Sequence, residues 1–140
     1  MALWRFFEYV TEDDENLMAA WYAAQDPEVQ AEFDATLLIL RATDDWENED
    51  VEHFKPLVKN HVGLGEIRFY VEGLAPGATR PHRRRFRPVG IWPPTTDHEF
   101  VLILGCEKSG RTYIPHAAFE LALHHKAVLD QGRGTVRERI

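Results

Sequence analysis

The sequence predicts one domain of the α+β class, in which helices pack against an antiparallel sheet. Apolar residues at helical spacing follow Asp-Pro at 26–27, and a second such segment lies between Pro115 and the glycines at 132 and 134. Apolar and polar residues alternate over 66–72, and every residue of 100–104 is apolar, as strands require. The predicted order is a strand, two helices, a three-strand meander and a C-terminal helix, within a single domain spanning 1–140.

The N-terminal half contains one predicted strand and two predicted helices. Residues 3–10 are rich in aromatic and β-branched side chains, which favour a strand. Thr11 or Asp13 is suited to cap the first helix. Asp-Pro at 26–27 provides an N-cap followed by proline at the first helical position, and the second helix should end near Arg41 to Thr43. Its apolar stripe consists of Val29, Phe33, Leu37 and Leu40.

The C-terminal half contains the predicted meander and the last helix. Residues 44–65 are polar and interrupted by Pro56 and two glycines, so they are predicted to form a loop. Pro88 indicates an edge strand or a bulge. The last helix is expected to start at Pro115 and to run to about Asp130. The three strands are placed at 66–72, 84–92 and 99–106, with the third at or near the centre of the sheet.

Charge is divided unequally along the chain, whose formal net charge is −7. Residues 1–60 contain 15 acidic and 4 basic side chains, whereas residues 61–140 contain 8 acidic and 12 basic ones. The segment RPHRRRFRPVG, at 80–90, holds five arginines and one histidine. Neighbouring like charges repel each other, so this cluster indicates a negatively charged partner.

Several classes of protein are excluded by composition. The single cysteine, Cys106, rules out an internal disulfide. His116, His124 and His125 are not spaced to chelate a metal from one helix face, and no cofactor motif is present, so neither a metal nor a cofactor is expected. No apolar run approaches the ~20 residues of a membrane span, and the N-terminus lacks the basic start of a secretion signal. A cytoplasmic location without membrane contact is the prediction.

Basic residues on the predicted meander point to phosphate binding. The planar fork of arginine binds two phosphate oxygens at once, and Tyr70 and Phe86 offer faces on which bases stack. An alternative is that some of these cations pair with the acidic N-terminal helices inside the domain. The cations in question are Arg68, Arg87, Lys108 and Arg111, from neighbouring strands and the following turn.

The same segments resemble the RelE/HigB toxin superfamily, most closely its phage-derived, HigB-like branch. The resemblance covers about residues 62–130 and depends on the order and spacing of short motifs. These are Gly65-Glu66-Ile67-Arg68-Phe69, then Phe86-Arg87-Pro88-Val89, then Glu107-Lys108-Ser109-Gly110, then Pro115 and Ala122.

The resemblance implies a toxin of a type II toxin–antitoxin system, a metal-independent endoribonuclease that cuts mRNA, in many members on the ribosome. It also implies a cognate antitoxin, often a helix-turn-helix protein. The implied catalytic residues are Arg68, Arg87, Lys108 and Arg111, with Tyr70, His82, Arg83, Arg84 and Arg85 binding RNA. Candidates for the general base are Tyr70, His82 and His125.

Two features of this chain differ from the pattern of the superfamily. The connection over 73–82 is longer than the usual tight turn, and the chain is acidic, whereas these toxins are commonly basic. A catalytically inactive domain of the same fold, binding RNA or a protein partner, is therefore the alternative function.

Overall fold

A computed structural model describes residues 3–49, 52–73, 79 and 82–139. Over these residues the fold is α+β, as predicted. The helices are α1 (Leu17–Ala23), α2 (Pro27–Arg41) and α3 (Ala118–Asp130), and Lys59–His61 forms one 3-10 turn. The strands are β1 (Arg5–Val10), β2 (Phe54–Pro56), β3 (Leu64–Ile67), β4 (Phe69–Gly73), β5 (His82–Phe86), β6 (Val89–Ile91), β7 (Glu99–Leu104), β8 (Glu107–Ser109), β9 (Thr112–Ile114) and β10 (Thr135–Arg139). None of the described helices has the length and apolar character to cross a membrane.

The strands form two sheets. The large sheet has the order β10-β1-β7-β6-β3-β2, and the small sheet has the order β4-β5-β8-β9. Strands β1 and β7 are parallel, so the large sheet is mixed rather than antiparallel as predicted. The small sheet is antiparallel throughout. Strand β7 lies inside the large sheet, which confirms the prediction for 99–106.

The large sheet is covered on both faces. Helices α1 and α2 pack on one side around Phe33 and Phe100, and α3 packs on the other side around Ile103 and Ala122. Alternate residues of β7 therefore enter two different apolar clusters. The rings of Trp4, Trp46 and Trp92 stack in the first cluster, with centroids 3.9–5.9 Å apart.

Three chain segments connect the large sheet to the small one, and they lie side by side. Arg68 joins β3 to β4, residues 87–88 join β5 to β6, and residues 105–106 join β7 to β8. The backbone N–H of Arg87 donates to the carbonyl of Cys106 (2.8 Å), and that of Ile67 donates to the carbonyl of Pro88 (2.8 Å). We call these three adjacent connections, Arg68, 87–88 and 105–106, the sheet junction.

The sheet junction corrects the predicted meander. The predicted strand at 66–72 is divided at Arg68, because Ile67 pairs with Phe54 in the large sheet whereas Phe69 pairs with Phe86 in the small one. The predicted strand at 84–92 is divided at residues 87–88, since proline lacks the N–H that a continuous ladder would need. The predicted order of one strand, two helices, three strands and one helix is therefore too simple.

Other predicted boundaries also change. The predicted loop at 44–65 contains β2, the 3-10 turn and the start of β3. Helix α1 is capped by Asn16, whose Oδ1 accepts the N–H of Ala19, rather than by Thr11 or Asp13. Helix α3 begins at Ala118, three residues after Pro115. Helix α2 begins at Pro27 and ends at Arg41, and its predicted stripe is buried, as expected. Most of the predicted connection at 73–82 lies outside the described residues.

Candidate functional site

A row of four side chains crosses the small sheet from edge to edge. Tyr70 on β4 pairs with Arg85 on β5, Arg85 pairs with Lys108 on β8, and Lys108 pairs with Tyr113 on β9. Residues that pair directly in an antiparallel ladder point to the same face. We call these four residues the tyrosine–cation row. With ~4.8 Å between strands, the row is roughly 14 Å long.

Two buried phenylalanines determine which face carries the row. Phe69 and Phe86 are directly paired, their rings lie 5.2 Å apart, and both are buried in the core. Because side chains alternate along a strand, Tyr70 and Arg85 must point to the opposite, outer face. Arg83, two residues before Arg85 on β5, points to the same outer face.

The outer face offers accessible positive charge. The Arg85 side chain is exposed and makes no hydrogen bond or ion pair with any other described residue. Lys108 is half-buried, and its Nζ lies 6.0 Å from the centre of the Tyr113 ring. The Arg83 guanidinium stacks on the ring of Tyr70, which is 45% exposed, at 3.9 Å from the ring centre. Tyr70 and Arg85 are exposed, whereas Lys108 and Tyr113 are half-buried and Tyr113 also packs against Phe119, with ring centroids 4.5 Å apart.

A buried carboxylate lies behind the row at the sheet junction. Glu66 is 2% exposed, and its Oε1 accepts a hydrogen bond from Arg68 Nε at 3.0 Å. Arg87 Nε is 3.9 Å from the same oxygen, while Arg87 Nη1 donates to the carbonyl of Phe86. Glu66 Oε2 and Arg87 Nε are buried without a hydrogen-bond partner among the described residues. Glu66 thus holds two arginines close together, and Glu66 and Arg87 each keep one buried polar atom that can still form a hydrogen bond.

The environment of this cluster changes the pKa of three groups. Burial lowers the pKa of Arg87, although Glu66 opposes the change. Burial, reinforced by Glu66, raises the pKa of Tyr113. The same two causes raise the pKa of Cys106 to about 12, and its Sγ lies 3.0 Å from the carbonyl of Arg87, to which it donates. Tyr113 and Cys106 are therefore protonated near neutral pH.

A cleft of about 750 Å³ runs beside β4. Helix α2 contributes the carboxylates of Glu28 and Glu32 to its lining. The sheet junction and β5 contribute basic side chains, and β4 contributes four consecutive residues. The arginines of the lining are Arg68, Arg83, Arg85 and Arg87, and His53 completes this side.

The structure brings most of the residues selected from the sequence to this region. Arg68 and Arg87 lie at the sheet junction, and Lys108 lies in the row. Arg111 is exposed in the turn between β8 and β9, next to the row but not in it. Tyr70, Arg83 and Arg85 share the outer face.

Three of the selected residues lie elsewhere. Arg84 points to the opposite face, where its Nη2 is 2.8 Å from Glu107 and its Nη1 is 3.9 Å from Asp26. The closer of these two carboxylates, Glu107, belongs to β8 and not to the acidic N-terminal helices. His82 is exposed at the start of β5, at the same alternation as Arg84. His125 packs against Tyr9 on the side of the large sheet that α3 covers.

Two residues of the site, Glu66 and Tyr113, were not among those selected from the sequence. Tyr113 had a usable signal: β8 and β9 are joined by Gly110-Arg111, and Gly110 has a φ of 62°. A two-residue hairpin loop with glycine fixes the register, so Lys108 must pair with Tyr113. Glu66 had no such signal, because its burial depends on the sheet junction.

Neither a metal cluster nor a relative assigns this site a role. Among the described residues, no group of three or more histidines, cysteines or carboxylates is arranged to hold a metal ion. Comparison with family models, curated proteins and solved structures finds no match to this chain. The functional argument therefore depends on the tyrosine–cation row and the sheet junction.

Proposed function

We propose that this protein binds single-stranded RNA on the outer face of the small sheet. The observation that carries the proposal is the tyrosine–cation row, in which a ring at each end encloses two cations, Arg85 and Lys108. Single-strand binding surfaces combine cations that follow the phosphates with aromatic rings on which bases stack. The row supplies both over a length of roughly 14 Å, which accommodates a few nucleotides.

The charge balance of the chain supports the same ligand. Many basic side chains are neutralised inside the protein, as Arg84 is by Glu107 and Arg139 is by Glu8. Arg85 has no such partner among the described residues, and Lys108 contacts a ring rather than a carboxylate. An acidic protein that leaves these two cations unpaired on one face attracts phosphate there in spite of its net charge of −7.

Binding of a fluorescent single-stranded RNA, measured by anisotropy over a range of salt concentrations, tests the proposal. Arg85→Gln and Lys108→Gln should each weaken binding and lower the slope of log affinity against log salt by about 0.7, the value for one lost phosphate contact. Arg84→Gln is the matched control, because it removes the same charge from the next residue on the opposite face. Circular dichroism verifies that each variant is folded.

The control also defines failure. If Arg84→Gln lowers the slope of log affinity against log salt as much as Arg85→Gln does, the RNA does not bind specifically to the outer face. Absence of RNA binding by the wild-type protein would contradict the proposal directly.

Cleavage of the bound RNA is the second candidate function, and the cluster of Glu66, Arg68 and Arg87 favours it. In metal-independent cleavage, the 2′-hydroxyl attacks the adjacent phosphate, a base accepts its proton, and an acid protonates the departing 5′ oxygen. Arg68, Arg87 and Lys108 are suited to stabilise the charge on the phosphorane. Tyr113, protonated near neutral pH, is suited to donate a proton. This is the reaction of the RelE/HigB-like toxins, and with it come mRNA, the ribosome, an antitoxin and a cytoplasmic location as proposed partners and setting.

The cleavage test uses an RNA oligonucleotide and ribosome-bound mRNA in the presence of EDTA. The expected products carry a 2′,3′-cyclic phosphate and a 5′-hydroxyl. Arg87→Ala and Lys108→Ala should each reduce the rate by ~10²–10³, whereas Arg84→Ala should retain activity. If the wild-type protein binds RNA and leaves it intact, the non-catalytic RNA-binding function replaces the ribonuclease function.

A further inference from the structure

Strand β4 leaves one edge of the small sheet open. Its inner edge pairs with β5, and no strand pairs with its outer edge in the part of the chain that the structure describes. An unpaired edge presents a line of N–H and C=O groups that can hydrogen-bond to an added strand.

The cleft follows this open edge. Its lining includes Phe69, Tyr70, Val71 and Glu72, which are four consecutive residues of β4. Successive side chains of a strand point to opposite faces, so a cavity that contacts all four lies along the edge rather than over one face.

The chain itself shows where an added strand would fit. Strand β2 pairs with β3 on this same side of the molecule, with Phe54 opposite Ile67. One residue further, Arg68 N–H still donates to the carbonyl of His53 at 2.8 Å. From Phe69 onward no described strand occupies this position. A strand bound along β4 would therefore lie beyond His53 and next to Glu52, which also lines the cleft.

The two sides of the open edge have opposite charge. On the side of Phe69 and Val71, α2 presents Glu28 and Glu32. On the other side, the Arg83 guanidinium lies over Tyr70 and pairs with Glu72 at 3.4 Å, so Arg85 is the cation of the cleft lining there that has no carboxylate partner among the described residues. Alternate side chains of an added strand would face these two sides in turn.

We propose that the outer edge of β4 binds an extended peptide segment of a protein partner, with basic side chains facing α2 and acidic side chains facing the arginines. Binding by strand addition takes its affinity from the backbone and its selectivity from the alternating side chains. An RNA strand suits this edge less well, because Glu28 and Glu32 would repel its phosphates. This inference goes beyond the proposed function, whose contact surface is the row on the outer face.

Two synthetic peptides of about six residues, the usual length of a strand, provide the test. One alternates lysine and glutamate, and the other has the same composition in two blocks. The alternating peptide should bind at least about tenfold more tightly, as measured by calorimetry. Its addition should shift the amide NMR signals of residues 69–72.

Backbone methylation distinguishes strand addition from binding by side chains alone. Only every second residue of an added strand points its N–H at β4. N-methylation of the residues whose N–H groups point at β4 should therefore reduce affinity by about tenfold or more. N-methylation of the intervening residues should leave affinity nearly unchanged. Replacing Glu28 and Glu32 together by glutamine should weaken binding of the alternating peptide. The control Glu12→Gln, which lies outside the cleft, should leave binding unchanged.

The opposite results would overturn the proposal. These are equal affinity for the alternating and block peptides, equal effects of the two methylation patterns, or NMR shifts at residues 69–72 that RNA produces and the peptides do not.

Discussion

Glu66 is the residue on which the geometry of the sheet junction depends. A buried carboxylate is costly unless cations accompany it, and here Arg68 and Arg87 do so. The relation is mutual, because the Arg87 side chain is only 11% exposed and Glu66 is the carboxylate beside it. Two of the arginines that line the cleft, Arg68 and Arg87, are therefore positioned by a residue that is itself almost fully buried.

Replacing Glu66 by glutamine should lower the free energy of unfolding by about 3 kcal/mol, because it leaves a buried guanidinium without its counter-charge. Urea unfolding followed by tryptophan fluorescence measures the change. Glu72→Gln is the control, since Glu72 pairs with Arg83 in solvent and should contribute no more than about 1 kcal/mol. Equal effects of the two substitutions would contradict the role assigned to Glu66.

His98 makes stability depend on pH. Its Nε2 is 2.6 Å from Asp44 Oδ1, and this hydrogen bond, together with Asp97, raises its pKa above the ordinary value of 6.5. The stabilisation is complete below pH 6.5 and is lost as the pH rises through the higher folded-state value. The stability difference between wild type and His98→Gln should therefore shrink as the pH is raised from 6. Burial lowers the pKa of His125, with the opposite effect, but His125 is common to both proteins. A difference that does not change with pH would contradict the prediction.

Strand β10 pairs with β1 in an antiparallel ladder, and ion pairs supply most of its side-chain contacts. Most of its residues are exposed, and its one aliphatic side chain among the described residues, Val136, is exposed as well. Arg139 reaches the buried Glu8 at 2.7 Å, Arg137 reaches the same carboxylate at 3.3 Å, and Arg5 binds Glu138 at 2.8 Å. The attachment of this strand should therefore respond to salt more than the rest of the sheet does.

Hydrogen exchange measures this response. At about 1 M salt the screening length falls to ~3 Å, so the amides of 135–139 should exchange faster than at low salt. Residues 100–104, enclosed between two apolar clusters, serve as the internal control and should exchange slowly under both conditions. Equal acceleration of both segments would indicate general destabilisation instead.

Elements with a strong local signal were predicted well. Helix α2 has an N-terminal proline and a continuous apolar stripe, and β7 is an uninterrupted apolar run. The division of strands was not predictable, because Ile67, Phe69 and Val71 keep the same alternation across Arg68 although they belong to different sheets. Strand β10 was missed because it has no apolar alternation, and its ion-pair partners are distant in sequence.

The positions of the arginines along the chain could be read from the sequence, but the faces to which their side chains point could not. The arginine cluster predicted a cationic surface, and the structure directs Arg83 and Arg85 to the outer face of the small sheet but pairs Arg84 with Glu107 on the other face. Phe86 was expected to be a stacking face, but it is fully buried, so the neighbouring side chains point the opposite way from an arrangement with Phe86 outside. Whether Arg83 and Arg85 or Arg84 point outward depends on how the small sheet packs against α1 and α2. No local sequence pattern contains that information.

In the folded molecule, the acidic N-terminal half and the basic C-terminal half of the chain partly neutralise each other. Arg84 and Arg139, from the basic half, reach Asp26 and Asp34 on the acidic half. These pairs reduce the contrast that the sequence suggested. Arg85 and Lys108, on the outer face of the small sheet, have no carboxylate partner among the described residues.

The sheet junction has a consequence for cooperativity. Strands β4, β5 and β8 continue into β3, β6 and β7 through one or two residues, so ordering one sheet largely orders the other. Tryptophan fluorescence from the large sheet and amide signals from the small sheet should accordingly give the same unfolding midpoint. Distinct midpoints would mean that the small sheet melts separately. With a single transition, a protease could cleave the strands that carry the binding surface only in molecules that have also lost their core. A damaged core would then reduce the fraction of molecules that bind and leave the affinity of each remaining folded molecule unchanged.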